Sequence, residues 1–307
     1  MAASLSVLQP IQITDAILFS TDVPEADYTA WSGATTYAVG DRAISTTTHR
    51  IYESLRATNL NHDPTDILNR TGVTPWWFDV GPTNRWAVFD QEISSQTTQA
   101  DTMTFVLRPG FFNSAFIAGL DADNLEITVL DAPAGNQIYY NVISLENSNP
   151  PDYYEYFFSA LRAQKDFLVS GLDQYNAAEI TIRIYRASGD VKCGVIALGD
   201  LLPLGQTQYG AKATPKTYSY IKIDEFGNNV IQRRKASKDM SVTAFIALEE
   251  ANTVLDIITD LLDVPCVWVG TDLPEYSGLR VFGLGSGEIS YDHPEDCMLS
   301  LTIQGLI

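Results

Sequence analysis

Lysine is absent from the first 150 residues of this chain, and positive charge there comes from six arginines alone: Arg42, Arg50, Arg56, Arg70, Arg85 and Arg108. Over all 307 residues, 19 Lys and Arg stand against 38 Asp and Glu, a net charge of −19. A surface of that sign repels a phosphate backbone, so nucleic acid is excluded as the main partner. Long apolar runs are missing too. No stretch approaches the roughly 18 residues that cross a bilayer, and Met1 to Gln12 has neither a basic nor an apolar region of the kind that starts a secretory signal. The expectation is a chain without signal peptide or membrane insertion. Cysteine is scarce: Cys193, Cys266 and Cys297 are scattered without CxxC spacing, and Cys266 lies inside the apolar run 264–269. They read as buried free thiols of a protein made in a reducing cytoplasm.

The residues of common active sites are equally thin. His49, His62 and His293 are the only histidines, and none has the spacing that places two imidazoles on one helix face. Asp292-His293-Pro294-Glu295-Asp296 matches no calcium-loop spacing and reads as an acidic turn. No G-x-S-x-G occurs. Gly283-Leu284-Gly285-Ser286-Gly287 lacks the lysine of a phosphate-binding loop and precedes a strand, so it reads as a flexible hairpin turn. The expectation is a protein that is not an enzyme, with no catalytic residue, no cofactor and no metal. Paired carboxylates of a glycan-degrading enzyme remain as the alternative, because 38 acids allow many pairs.

What is present is β texture. With 45% hydrophobic residues the chain can bury a core, and its length suits two or three domains. Ile11 to Phe19, Arg85 to Phe89, Met103 to Leu107, Leu125 to Leu130 and Gln137 to Ile143 cluster or alternate β-formers, with Pro109-Gly110 and Ala134-Gly135-Asn136 as turn signals. Tyr153 to Leu172 is aromatic and then roughly helical; Glu179 to Arg186 and Lys192 to Leu198 follow as strands, and Gly205 to Lys216 as a loop. Tyr218 to Ile223 and Val230 to Arg234 flank a Gly-Asn turn, a hairpin signature. Arg233, Arg234, Lys235 and Lys238 form the one basic cluster, either a solvated strand end or an intersubunit salt-bridge surface. The clearest helix spans Leu248 to Leu262, where Leu248, Ala251, Val254, Leu255, Ile258, Leu261 and Leu262 recur at three- and four-residue steps. The predicted fold is mainly β with an α+β C-terminal part: a β-sandwich or barrel body over residues 1–26 and 83–150, a small all-β module inserted at 27–82, and a C-terminal α+β domain at 151–307.

The insert is distinctive. It runs Trp31, Tyr37, Val39-Gly40-Asp41, Tyr52, Pro64 and Pro75-Trp76-Trp77 within about 50 residues. This order resembles the small chitin- and cellulose-binding modules of carbohydrate-binding families 5 and 12, whose pattern is W-x-x-x-x-x-Y-x-x-G-D-x-V, a strand with a tyrosine, and a closing P-x-x-W. The resemblance implies sugar recognition by flat aromatic faces stacked on pyranose rings, with Trp31, Tyr37, Trp76 and Trp77 as the candidates. A second use competes for the same side chains, because a domain this small needs large aromatics for its core. Trp76 and Trp77 are adjacent, so in an extended segment they point to opposite faces, one inward and one outward.

After the insert comes Asn84-Arg85-Trp86-Ala87-Val88-Phe89-Asp90, which is similar to the N-R-W-A-M-F-D segment of tailed-phage structural proteins, with Val88 where methionine is usual. Leu204-Gly205-Gln206-Thr207-Gln208-Tyr209-Gly210, Tyr218-Ser219-Tyr220 and Asp224-Glu225-Phe226-Gly227 continue that similarity. The resemblance implies a virion protein of the tail tip or baseplate, made in the host cytoplasm, assembling as a homo-oligomeric ring with other tail proteins and touching a host cell-surface glycan. An architectural tail adaptor whose module binds nothing is the alternative.

Overall fold

A computed structural model of the chain describes residues 4–147, 162–223, 229–271, 273–291 and 295–306. Strands dominate, as the alternating patterns require, and every ladder between named strands is antiparallel. Six of them close on themselves. Leu201–Thr207, Ser4–Leu8, Cys266–Val269, Arg280–Ser290, Asp296–Gly305 and Ala236–Ala247 pair in that order, and Ala236–Ala247 returns to pair with Leu201–Thr207 through Gln206 and Thr207. Closure leaves no free edge in the ring; Lys212–Thr217 adds to Ala236–Ala247 outside it. Alternate residues point inward. Leu5, Val7, Met240, Val242, Ala244, Trp268, Leu299 and Leu301 share one buried core with Val254 and Ile258 of the helix Ala251–Asp260 and with Leu261 at its C-cap.

The second body is a β-sandwich. Its five-stranded sheet has the order Gln137–Ser144, Asn124–Leu130, Glu179–Cys193, Thr97–Leu107, Leu18–Thr21, and its three-stranded sheet the order Asp166–Val169, Ser114–Ala118, Val195–Gly199. Met103, Phe105, Leu107, Ile127, Ile180, Ile182 and Ile184 of the first face Ala115, Ile117, Ile196 and Leu198 of the second. Ser114–Ala118 and Val195–Gly199 are buried along their whole length. Their other face, Phe116, Ala118, Val195 and Ala197, packs on Leu8, Val267, Val269 and Phe282 of the barrel. One sheet thus belongs to two cores, and its continuous apolar sequence follows from that.

Several sequence expectations change here. The body does not end at residue 150, because Glu179–Cys193 lies between Asn124–Leu130 and Thr97–Leu107 in the sandwich. Residues 4–8, assigned to the body, complete the barrel instead. The C-terminal part carries a single described α-helix, of ten residues, and a short 3-10 helix at Pro274–Leu279. Gly205 to Lys216 is mostly strand. Gly283, Gly285 and Gly287 stand in mid-strand, not in a turn; a Cβ on Gly285 would lie 2.2 Å from the Trp268 ring, so the missing side chain makes room for the largest residue inside the barrel. Where the 153–172 stretch is described, Asp166–Val169 is a strand rather than a helix, held by pairing with Ser114–Ala118. The rest of that stretch up to 161, the 224–228 turn and Asp292, His293 and Pro294 lie outside the described residues.

The insert leaves and re-enters the sandwich on neighbouring strands, after Leu18–Thr21 and before Thr97–Leu107. It contains a three-stranded sheet of Arg42–Ser45, Arg50–Ser54 and Trp77–Pro82, a short ladder of Thr36–Tyr37 with Asn59–Leu60, and one helical turn, Ile67–Arg70.

Candidate functional site

The module is organised around the Val39-Gly40-Asp41 turn. Gly40 has φ +87°, open to glycine and strained for other residues. Its N–H donates to the Ser54 carbonyl at 2.8 Å, and Asp41 Oδ2 accepts the Ala38 N–H at 2.7 Å. The turn therefore fixes Tyr37 over the sheet. Tyr37, Ala43, Tyr52 and Trp77 form the core, with Trp31 and Trp76 against its partly exposed side. Tyr37 and Trp77 meet edge to face at 5.0 Å and 69°.

Burial divides the four candidate aromatics. Trp77 is 0% exposed and Tyr37 6%. Trp77 Nε1 donates to the His62 carbonyl at 2.7 Å, and the Tyr37 hydroxyl accepts the Ser32 N–H at 2.9 Å. Neither ring has a face free for a sugar, so both are corrected from binding candidates to core residues; a module whose core cluster is three aromatics and Ala43 needs them there. Trp31 and Trp76 keep partial exposure.

Around Trp76 the structure gathers residues that sequence reading passed over. The His62 imidazole stacks on the Trp76 ring at 3.7 Å and 14°, and the Arg56 guanidinium lies 4.7 Å from its centroid. Asn61, at φ 59°, brings its amide oxygen beside Gly33, whose bare Cα also faces the Trp31 ring. Trp31 Nε1 is buried without a hydrogen-bond partner. Two partly buried indoles thus pack on one small core, with His62 and Arg56 lying over the Trp76 ring and the Asn61 amide oxygen beside Gly33 next to Trp31. His62 entered the sequence reading only as a metal ligand lacking correct spacing. The local signal for it was its place directly before Asp63-Pro64, in the loop that returns the chain under Trp76 and Trp77.

A second constellation mounts the module on the sandwich. Arg85 donates through Nε to the Val23 carbonyl at 2.7 Å and reaches Glu25 Oε2 with Nη1 at 3.7 Å. Glu25 also accepts the Thr83 hydroxyl at 2.9 Å and lies 3.0 Å from His49 Nδ1, while Asp15 lies 3.2 Å from His49 Nε2. His49 stacks on Trp86 at 4.0 Å and 18°. From Trp86 an edge-to-face chain runs through Phe89, at 5.7 Å, to Phe105, at 5.5 Å, inside the sandwich core. The Asn84 side chain pairs with both backbone groups of Thr98 at 2.9 Å. Asp90 accepts the Glu92 N–H at 2.8 Å and the Ser95 hydroxyl; burial pushes its carboxyl up to about 6, against the pull of those bonds. Residues 84–90 are thus a clamp between the module and the sandwich.

Among the described residues no group of three or more His, Cys, Asp or Glu is arranged to hold a metal ion. No described helix is long and apolar enough to cross a membrane. No family model matches the chain, and no curated protein and no solved structure matches it.

Proposed function

We propose that the chain is a structural component of a bacteriophage tail tip or baseplate, whose β body joins other tail proteins and whose module carries Trp31 and Trp76 toward a host-surface glycan. The observation that carries the reading is the role of residues 84–90. The segment that resembles tail proteins is the one that clamps the aromatic module to the sandwich, through Arg85–Glu25 and the His49–Trp86–Phe89–Phe105 stack. A clamp of this kind suits a part that must present a module at a fixed angle. In this reading the chain performs no catalysis, and the glycan site is drawn from Trp31, Trp76, Arg56, Asn61 and His62. Stacking on an aromatic side chain is worth on the order of 1–3 kcal/mol.

Binding of the purified protein to a host-polysaccharide array tests the glycan part. Trp76→Ala is expected to weaken binding by about 1–3 kcal/mol while the module stays folded. If the wild type binds no glycan, the receptor role fails and the adaptor reading stands, a reading favoured by the His62 and Arg56 groups already lying against Trp76. New reducing ends in the same incubation would make the chain an enzyme. Antibody labelling of intact particles tests the location: label at the distal end of the tail is expected, and its absence from virions would overturn the proposal.

A further inference from the structure

One element stands apart from both bodies. Tyr220–Ile223 and Asn229–Gln232 pair with each other and, among the described residues, with no other strand. A two-stranded hairpin alone in water is marginal, and this one turns apolar side chains to solvent: Tyr220, Ile223, Val230 and Ile231 are 45–66% exposed. It is also where the positive charge of the molecule is concentrated. Seven of the 19 Lys and Arg, but only two of the 38 acids, fall within residues 212–238, leaving 12 basic against 36 acidic residues elsewhere. Lys216 pairs with Asp239 at 3.7 Å and Lys235 donates to the Ser94 carbonyl, which anchors the base of the arm. Lys222, Arg233 and Arg234 have no ion-pair partner among the described residues, and Arg234 lies over the Tyr220 ring at 5.1 Å.

The complement of this surface exists on another face of the same chain. Around the helix Ala251–Asp260 and its flanking turns, Leu248, Leu255 and Leu262 recur at seven-residue steps and are 41–49% exposed, while Val254, Ile258 and Leu261 fill the core. Leu255 lies in the helix itself, Leu248 in the turn before it and Leu262 in the turn after it. Glu249, Glu250, Asp256, Asp260 and Asp263 border them, all exposed, and no Lys or Arg occurs between Lys238 and Arg280. One surface is apolar and basic, the other apolar and acidic.

We infer that the hairpin arm of one molecule docks on the helix face of a second copy, with Ile223, Val230 and Ile231 against Leu248, Leu255 and Leu262, and Arg233 and Arg234 against Asp256 and Asp260. Because the two faces differ, the contact is heterologous and propagates from copy to copy, closing into a ring where the rotation permits. Opposed charge at the rim sets orientation and speeds encounter. The inference rests on the assembly part of the proposed function and is independent of glycan recognition.

Sedimentation velocity of the full chain over a range of concentration and salt tests it. The wild type is expected to self-associate, less so at high salt. R233E/R234E and D256K/D260K are each expected to weaken association about tenfold or more, and mixing both pairs of changes in one chain, which restores opposite charges across the contact, is expected to recover it. All four positions are exposed, and circular dichroism checks that the variants fold. A wild type that stays monomeric means that the arm meets a different chain and overturns the inference, as does association indifferent to either variant, or single-face losses that the combined variant fails to rescue. Glycan binding in the same preparations reports on the module alone, so failure of one reading is told from failure of the other.

Discussion

Replacing Trp77 by alanine removes a fully buried indole from a core cluster of four residues, together with its bond to the His62 carbonyl. The expected cost is about 3–5 kcal/mol, enough to unfold residues 27–82 locally, seen as new protease cleavage confined to that segment. Trp76→Ala leaves the core intact and should give no such cleavage; equal cleavage in both variants would show that Trp76 is structural. Asp90 carries a pH signature. Its carboxyl is pushed from 3.8 up to about 6 by burial, so between those values the folded chain holds a proton that the unfolded chain has released. The stability it contributes is complete below about pH 4 and is lost as pH rises through about 6. The stability of Asp90→Asn relative to wild type should therefore rise from pH 4 to pH 7 in urea melts, and a difference independent of pH would refute the assignment. The three thiols, all free and buried, are expected to react with a thiol reagent only after unfolding; burial holds Cys193 well above its usual range and pushes Cys266 up to about 12.

At the scale of elements, the barrel depends on a glycine that looked like a turn residue. The Trp268 ring occupies the space a Gly285 side chain would need, with Trp268 Nε1 bonded to the Gly283 carbonyl at 3.0 Å. Gly285→Ala is expected to cost about 1–3 kcal/mol as an overpacked core, measured as a lowered urea midpoint; an unchanged midpoint would mean that the indole has room to move. Alternating glycines and a tryptophan 17 residues earlier are both visible in the sequence, but their facing relation depends on the register of Cys266–Val269 with Arg280–Ser290. The same limit explains which parts of the fold were legible. Local patterns located Asn124–Leu130, Gln137–Ser144, the helix and the hairpin, because alternation, three- and four-residue recurrence and turn residues act over short range. Pairings such as Thr97–Leu107 with Glu179–Cys193 join residues some 80 apart, and no local pattern encodes them. In the candidate site, Trp31 and Trp76 were legible as aromatics of a recurring order. Which rings were core was not, since burial of Trp77 and partial exposure of Trp76 depend on the sheet beneath them. The helix shows a related effect: its recurrence of leucines ran together two faces, one in the core and one exposed.

For the whole molecule, the decisive feature is the three-stranded sheet that serves both cores. Phe116, 2% exposed, sits on its barrel side. Phe116→Ala should cost about 3–5 kcal/mol, and barrel and sandwich should unfold in one transition, with tryptophan fluorescence and far-ultraviolet circular dichroism coinciding. Two separated transitions in the wild type would show that the shared sheet does not couple them. Ser4–Leu8 adds a second tie, since the first strand of the chain fills a place between Leu201–Thr207 and Cys266–Val269. The module is related to this framework differently. Its chain departs and returns at strands that are already neighbours, Leu18–Thr21 and Thr97–Leu107, so its length and sequence place no demand on the framework's registers. The mount behaves as a socket. A different small domain with its ends equally close could be plugged in at residues 27–82, and the surface the module presents could change from one variant to the next while the barrel and the sandwich stay the same.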